Sequence, residues 1–203
     1  MKRQGMCPCL EEEYFMGRIV CFGDSNTYGY DPVTMRYGSE NRWPDLLAQM
    51  QDKEVVNMGL NGREIPSPWY AEKLADAVQP DDLLLVMLGS NDLLLEGRSA
   101  AEAAASMKAF LLALPAAFWS LDKAAPEIIL ISPPPMTRGF WVTADSIVQE
   151  SELLADHYEE LADSLDIGFL DAGKWKIELT FDGVHFTEAG HHAFADGIAA
   201  AII

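Results

Sequence analysis

Short apolar runs that alternate with longer segments of helical period constrain the fold of this chain more than any other feature. A parallel sheet whose strands are joined by crossover helices requires such an alternation. The runs Leu83–Leu88 and Ile128–Ile131 are apolar at every position, as is typical of strands buried on both faces. The sequence therefore predicts an α/β protein with a five-stranded parallel sheet.

In the predicted arrangement, each strand leads into a helix. The strands are predicted at Arg18–Phe22, Glu54–Met58, Asp82–Leu88, Glu127–Ser132 and Ile167–Asp171. The helices are predicted at Trp43–Met50, Pro68–Val78, Ser99–Leu121, Ala144–Leu165 and Glu188–Ile203. Pro115 is expected to kink or interrupt the third of these helices. Since open parallel sheets bind ligands beyond the carboxyl ends of their strands, a site is expected in the loops that follow the strands.

The size and charge of the chain narrow the classes of function. Its 203 residues fit a single domain, given about 100–200 residues per domain. With 32 Asp and Glu against 14 Lys and Arg, the net charge of −18 repels nucleic-acid phosphates and anionic lipids. We therefore expect neither a nucleic-acid nor a membrane partner, and the acidic balance is typical of a soluble cytoplasmic protein.

The amino terminus and the cysteines indicate neither a secretion signal nor a metal site. Residues 1–15 lack the apolar stretch of a signal peptide, so we expect a peripheral extension before a single domain over residues 16–203. No apolar run approaches the roughly 20 residues that cross a bilayer. Three cysteines lie outside any zinc-ligand pattern, which predicts no metal and no disulfide framework: Cys7, Cys9 and Cys21.

Two of the expected loops contain the residue types of a nucleophile and its base. Ser25 lies in the small polar turn Gly23–Gly29 at the end of the first strand, although a serine there is most often a turn or cap residue. Asp182 and His185 lie in the loop before the last helix, where the aspartate can orient the imidazole toward a serine hydroxyl. The other histidines fall in predicted helices away from this edge, where surface positions are expected: His157, His191 and His192.

Two further loops offer hydrogen-bond donors for a developing oxyanion. Gly62 follows the second strand, and its N–H can approach a ligand closely because glycine has no side chain. Asn91 follows the third strand within Gly89–Asp92 and offers its side-chain amide. Each cluster alone is usually only a turn. A serine, two donors and an Asp/His pair at one sheet edge are together what acyl transfer requires.

These four segments, in this order, resemble the SGNH or GDSL hydrolases. The matching blocks are Gly23-Asp24-Ser25, Gly62, Gly89-Ser90-Asn91-Asp92 and Asp182-Gly183-Val184-His185. The resemblance runs from about residue 16 to the C-terminus and implies a three-layer αβα flavodoxin-like fold. It also implies a serine esterase that uses no metal or organic cofactor. The letters GDSL in the family's name place a leucine after the serine, whereas this chain has Asn26 there. This difference is expected to affect the subfamily assignment more than the chemistry.

The resemblance also implies a role for each site residue. Ser25 would be the nucleophile, His185 the general base and then acid, and Asp182 the partner that orients it. The oxyanion donors would be the backbone N–H groups of Ser25 and Gly62 and the side-chain amide of Asn91.

The natural substrate stays open at this point. The segments Tyr28–Tyr30 and Arg42–Pro44 are similar to the short-chain arylesterase and acyltransferase branch, so we expect a small ester that is hydrolysed or passes its acyl group to another alcohol. A homo-oligomer would fit such an enzyme. One alternative is a carbohydrate O-deacetylase of the same fold, and another is a flavodoxin-like protein whose Ser25–Thr27 loop binds a flavin phosphate. An α/β-hydrolase is disfavoured because Ser25 lacks the G-x-S-x-G pattern.

Overall fold

A five-stranded parallel sheet lies at the centre of the structure, a computed structural model that describes residues 17–202. The prediction for residues 1–15 falls outside this described part. The strands are β1 Ile19–Gly23, β2 Val55–Gly59, β3 Leu83–Met87, β4 Glu127–Ser132 and β5 Gly168–Asp171. Their spatial order is β2-β1-β3-β4-β5, which is the flavodoxin-like order, and the predicted fold class is confirmed.

Seven α-helices connect or follow the strands within the described residues. They are α1 Ser25–Tyr28, α2 Trp43–Gln51, α3 Tyr70–Ala77, α4 Ser90–Leu94, α5 Ala100–Ser120, α6 Asp145–Leu165 and α7 Glu188–Ala201. The five longer helices were predicted, whereas α1 and α4 are too short to show a helical period. The predicted interruption at Pro115 is wrong: α5 continues through this exposed proline, because Leu114 and Phe118 on either side are anchored in the core.

Alternating strand residues build two separate apolar layers. In β1, Val20 and Phe22 pack into the layer covered by α3, α5 and α6, whereas Ile19 and Cys21 pack into the layer covered by α2 and α7. All four side chains are at most 1% exposed. Because fully burying one such apolar side chain stabilises the fold by about 1.5–3 kcal/mol, these layers hold the sheet rigid and fix where its carboxyl edge lies.

Helix α5 begins at a capping box, in which Ser99 and Glu102 each accept the other's backbone N–H. By length and composition alone, this helix could also cross a membrane. Its buried residues Met107, Phe110 and Leu114 pack in the core layer between the sheet and its neighbours α3 and α6. The core of the fold thus accounts for its apolar character.

Candidate active site

Helix α1 presents Ser25 at the carboxyl end of β1, the second strand of the sheet. Asp24 caps the helix, because its Oδ1 accepts the N–H of Asn26 at 2.9 Å. Gly29, in the left-handed conformation at φ 86°, ends it one turn later. An aspartate before the helix and a glycine after it are favourable caps, so the local sequence itself forms this short helix. In this helix the Ser25 side chain faces the loop before α7, which contains His185.

His185 lies within hydrogen-bonding distance of both predicted partners. Its Nε2 is 2.9 Å from Ser25 Oγ, and its Nδ1 is 2.6 Å from Asp182 Oδ2. A carboxylate can only accept, so Nδ1 carries the ring proton, and Nε2 of the neutral imidazole accepts from the serine hydroxyl. All three residues are at least nine-tenths buried. The structure thus brings Ser25, His185 and Asp182 into one hydrogen-bonded relay.

Asp182 is held as an anion by the donors around it. Burial by itself would raise its pKa, but the His185 side chain and the backbone N–H groups of His185 and Val184 donate to the carboxylate. These bonds lower the pKa of Asp182 to about 2. The carboxylate is therefore ionised at neutral pH and can stabilise a positive charge on the imidazole.

The loop that carries this pair is fastened from the side by the segment that follows β4. The N–H of Thr137 donates to the carbonyl of Gly183, and the N–H of Trp141 donates to the carbonyl of Asp182, both at 3.0 Å. Gly183 has φ 85°, and a Cβ there would lie 2.0 Å from the Thr137 carbonyl oxygen. Glycine is therefore required for these two backbones to approach.

The predicted oxyanion donors lie just beyond the carboxyl ends of three adjacent strands. Ser25 follows β1, Gly62 lies in the loop after β2, and Asn91 is in the first turn of α4 after β3. One hydrogen of the Asn91 amide donates to the carbonyl of Arg63 at 3.0 Å, which leaves the second available for a ligand. Gly62 has φ 71° and no atom near the place of a Cβ, so its peptide stands at an exposed apex.

Arg63, which the sequence prediction left out, joins these three loops. Its Nη1 donates to the carbonyl of Gly23 at 3.0 Å and also to the carbonyl of Met58, at the ends of β1 and β2. Its own carbonyl holds the Asn91 amide, and it is the residue after Gly62. Burial lowers the pKa of Arg63, although Tyr70 and Asp24 act in the opposite direction.

Asp92, directly after Asn91, fixes the far side of the Gly62 loop. Its Oδ2 accepts the N–H of Ile65 at 3.0 Å, and its Oδ1 faces Arg98 at 3.4 Å. Burial raises the pKa of Asp92, with the Ile65 bond and the Arg98 charge acting against it. Asp92 thus holds the Gly62 loop in place, a role that the spacing of the motif alone did not indicate.

Asp24, beside Ser25, is a second buried carboxyl in this region. It is 2% exposed, and burial raises its pKa to about 6. The hydrogen bond from the Asn26 N–H and the charges of His185 and Arg63 act in the opposite direction. Asp182 and Asp24, at the same edge of the sheet, therefore differ in pKa. Asp182 accepts several hydrogen bonds, whereas burial dominates at Asp24.

The prediction of a surface position for His191 is wrong. Its side chain is fully buried, with the ring centroid 5.2 Å from that of Tyr37 and 5.3 Å from that of Phe186. Burial lowers its pKa to about 3, and nearby His192 and His185 act in the same direction. The ring is therefore neutral at pH 7. Among residues 17–202, no cluster of three or more His, Cys, Asp or Glu could hold a metal ion.

The chain is similar to known proteins in both sequence and structure. Residues 21–193 match the family model of the GDSL-like lipase/acylhydrolase family. The M. smegmatis aryl esterase structure is 29% identical, with a TM-score of 0.82 over 92% of this chain and 98% of that one. A carbohydrate acetylesterase family member from Sinorhizobium meliloti is 30% identical, with a TM-score of 0.81 over 92% and 97%.

A third structure, a putative arylesterase from Agrobacterium tumefaciens, is 30% identical, with a TM-score of 0.81 over 92% of this chain and 98% of that one. No curated protein sequence matches the chain. The family match covers most of the chain and includes all four blocks that carry the site. The chain therefore belongs to the GDSL-like lipase/acylhydrolase family.

Proposed function

We propose that this carboxylic ester hydrolase cleaves small esters of short acyl groups through an acyl-enzyme on Ser25. The observation that carries the proposal is the relay from Ser25 Oγ through His185 to Asp182, with distances of 2.9 and 2.6 Å. A relay of this geometry activates a serine that is otherwise a weak nucleophile at neutral pH.

In the first half-reaction, Ser25 Oγ attacks the ester carbonyl carbon while its proton moves to His185 Nε2. The carbonyl electron pair moves onto oxygen, and the oxyanion accepts hydrogen bonds from the N–H groups of Ser25 and Gly62 and from the Asn91 amide. Asp182 stays ionised and stabilises the imidazolium. Collapse of the intermediate breaks the bond to the alcohol, which leaves with the proton from Nε2.

In the second half-reaction, water gives a proton to His185 Nε2 and adds to the acyl carbon. A second oxyanion forms in the same place and collapses, so that the acid leaves and the proton returns to Ser25. An alcohol in place of water would give a new ester by the same steps. Hydrolysis and transfer therefore differ only in the acceptor that reaches the acyl-enzyme.

Labelling with an organophosphonate tests the nucleophile directly. We expect one label per chain on Ser25, none in Ser25→Ala, and full labelling in Ser90→Ala. Ser90 is a suitable control because it is also a buried serine at the start of a short helix after a strand. Esterase activity that survives in Ser25→Ala would contradict the assignment.

Short acyl groups are proposed because the chain leaves no room for a lid domain between its five strand and helix units. Each further methylene gains only about 0.8 kcal/mol, and overfilling a rigid pocket costs more. We expect kcat/KM for p-nitrophenyl esters from C2 to C12 to peak at short chains. A maximum at C8 or longer would contradict the small pocket, and purely hydrolytic products with added alcohol would remove the transfer reaction.

A carbohydrate O-deacetylase is the second candidate. It is favoured by the 30% identity to a carbohydrate acetylesterase family member and by exposed aromatic side chains in the segments after β2, β4 and β5, which could stack on a sugar. Trp69, Phe140 and Phe181 are 73%, 75% and 65% exposed. Acetylated sugars belong in the same substrate panel, and acetate release from them faster than from aryl acetates would favour this candidate.

A further inference from the structure

Asn26, the residue after Ser25, makes hydrogen bonds through both the nitrogen and the oxygen of its side-chain amide. Its Nδ2 donates to the carbonyl of Val184 at 3.1 Å, and its Oδ1 accepts the N–H of Phe186 at 3.0 Å. These two peptide groups flank His185. The Asn26 side chain is 2% exposed, so water cannot replace these bonds easily.

This pairing connects the backbone of one reacting residue with that of the other. Asn26 follows Ser25 in the first turn of α1, and its amide holds the backbone on both sides of His185 as a neighbouring strand would. The segment after β4 fastens the same loop at Asp182 and Gly183, which is its other half. The distance from Ser25 Oγ to His185 Nε2 thus depends on the two hydrogen bonds that Asn26, the neighbour of Ser25, makes to the His185 loop.

Leucine, which the family's name has at this position, could form neither bond. A leucine side chain is of similar size but has no donor or acceptor, so the Val184 carbonyl and the Phe186 N–H would lose their partners in a buried region. The loop would then have to shift to satisfy them, and His185 would move with it. Asparagine here is therefore matched to this particular loop.

We propose that Asn26 is a positioning residue that holds His185 at hydrogen-bonding distance from Ser25. This inference rests on the proposed function, in which these two residues are base and nucleophile. Asn26 does not touch the reacting atoms and acts through the loop that carries the base. A displacement of about 1 Å at a reacting group can cost a hundredfold in rate, so the effect falls on kcat.

The experiment compares Asn26→Leu with Asn57→Leu. Asn57 is a matched control because its amide also donates to one backbone carbonyl, that of Thr27 at 2.9 Å, and accepts one backbone N–H, that of Gly59 at 2.9 Å. We expect Asn26→Leu to lower kcat for p-nitrophenyl acetate by about 10- to 100-fold with KM within about twofold, and to slow phosphonate labelling by the same factor. Asn57→Leu should lose stability with a much smaller change in kcat.

Asn26→Asp gives a second readout, which depends on how close residue 26 lies to His185. The carboxylate can still accept from Phe186 but cannot donate to Val184, and its charge near His185 favours the protonated ring. The pH at which kcat/KM halves on acidification should therefore rise. Tyr30, whose ring centroid is 4.6 Å from that of His185, and the side chains of Asp24, Asp182 and His191 are the other titratable groups around His185. All four are the same in both proteins, so the difference reports residue 26.

The inference is overturned if Asn26→Leu keeps the wild-type kcat and labelling rate, or if both leucine variants lose kcat equally. An unchanged acid limb in Asn26→Asp would also overturn it, and this variant decides the matter if Asn26→Leu does not fold. Wild-type protein that is neither labelled nor active would instead contradict the proposed function itself. The two failures are thus distinguishable.

Discussion

The loop that carries His185 and the loop that carries Gly62 face the same serine, but they are held in different ways. Residues 182–186 are buried throughout and are bonded to the segment after β4 and to Asn26. The Gly62 loop is exposed at Asn61 and Gly62 and is held from below at Arg63 and Ile65. The proposed base thus lies in the core, whereas the proposed oxyanion donor Gly62 lies in an exposed turn.

The short helices α1 and α4 hold these two loops in a similar way. Each of the short helices α1 and α4 pairs a residue assigned to the chemistry with a neighbour that holds the opposite loop. Ser25 is followed by Asn26, which holds the His185 loop, and Asn91 is followed by Asp92, which holds the Gly62 loop. Substitutions in the buried loop should therefore change both activity and stability, and those at the exposed apex should change mainly activity.

The largest effect is expected for Asp182→Asn in the buried loop. Loss of the anion that orients His185 and stabilises its positive charge should lower kcat by about 10⁴-fold. The Asn side chain keeps an oxygen that can accept from Val184 and His185, so the fold should persist. Steady-state kinetics and urea unfolding measure the two effects.

Asp31→Asn is the matched control for this prediction. The Asp31 carboxylate also accepts two backbone N–H groups, those of Val33 at 3.0 Å and Thr34 at 3.1 Å, but it belongs to a different loop. It should change stability without a comparable loss of kcat. A rate near wild type in Asp182→Asn would transfer the orienting role to another carboxylate.

Asn91→Ala removes a proposed oxyanion donor from the half of the site that contains the Gly62 loop. We expect kcat to fall by about 10²–10³-fold, the usual effect of losing one oxyanion donor. Asn61→Ala, an exposed amide two residues before Arg63, should have little effect on kcat. If the two alanine variants behave alike, the Asn91 amide does not contact the oxyanion.

Gly62→Ala tests the apex with a smaller change, and Gly97→Ala is its control. Both glycines have left-handed φ, 71° and 64°, and open space where a Cβ would stand. Each alanine variant should lose about 1–2 kcal/mol of unfolding free energy through backbone strain. Only Gly62→Ala should also lose kcat, by about tenfold if roughly 1.4 kcal/mol of transition-state stabilisation is lost. Equal kcat in both would leave Gly62 without a role at the oxyanion.

Sequence reasoning predicted the fold, and the residues that meet at one edge of the sheet, for one physical reason. In a parallel sheet all carboxyl ends meet at one edge, so residues in the loops after the strands converge even when they are far apart in sequence. Ser25, Gly62, Asn91 and the Asp182/His185 pair all lie in such loops. What it missed depends on side-chain directions: Asn26 reaches Val184 across 158 positions, and no local pattern indicates that its amide points there. His191 was misplaced because a helix that packs on two aromatic rings can bury a histidine that periodicity leaves undecided.

The last expected effect concerns Asp24, the residue before Ser25, and it falls on stability, with the smallest change expected in kcat. Its folded pKa of about 6 lies above the unfolded value of about 3.9, so the folded state binds the proton more tightly. The stability that this provides is complete below about pH 4 and is lost as the pH rises through 6, by roughly 3 kcal/mol in all.

Asp24→Asn should remove this dependence, because asparagine can still cap α1 but does not titrate. His191 acts with the opposite sign between about pH 3 and 6.5, since its folded pKa of about 3 lies below the unfolded value. Asp182 titrates mainly below pH 4. Both are present in the variant and the wild type, so the difference between their unfolding free energies isolates Asp24. Measured by urea unfolding from pH 4 to 8, the variant should gain on the wild type as the pH rises. Parallel curves would mean that Asp24 is ionised throughout and that Arg63 and the Asn26 N–H outweigh its burial.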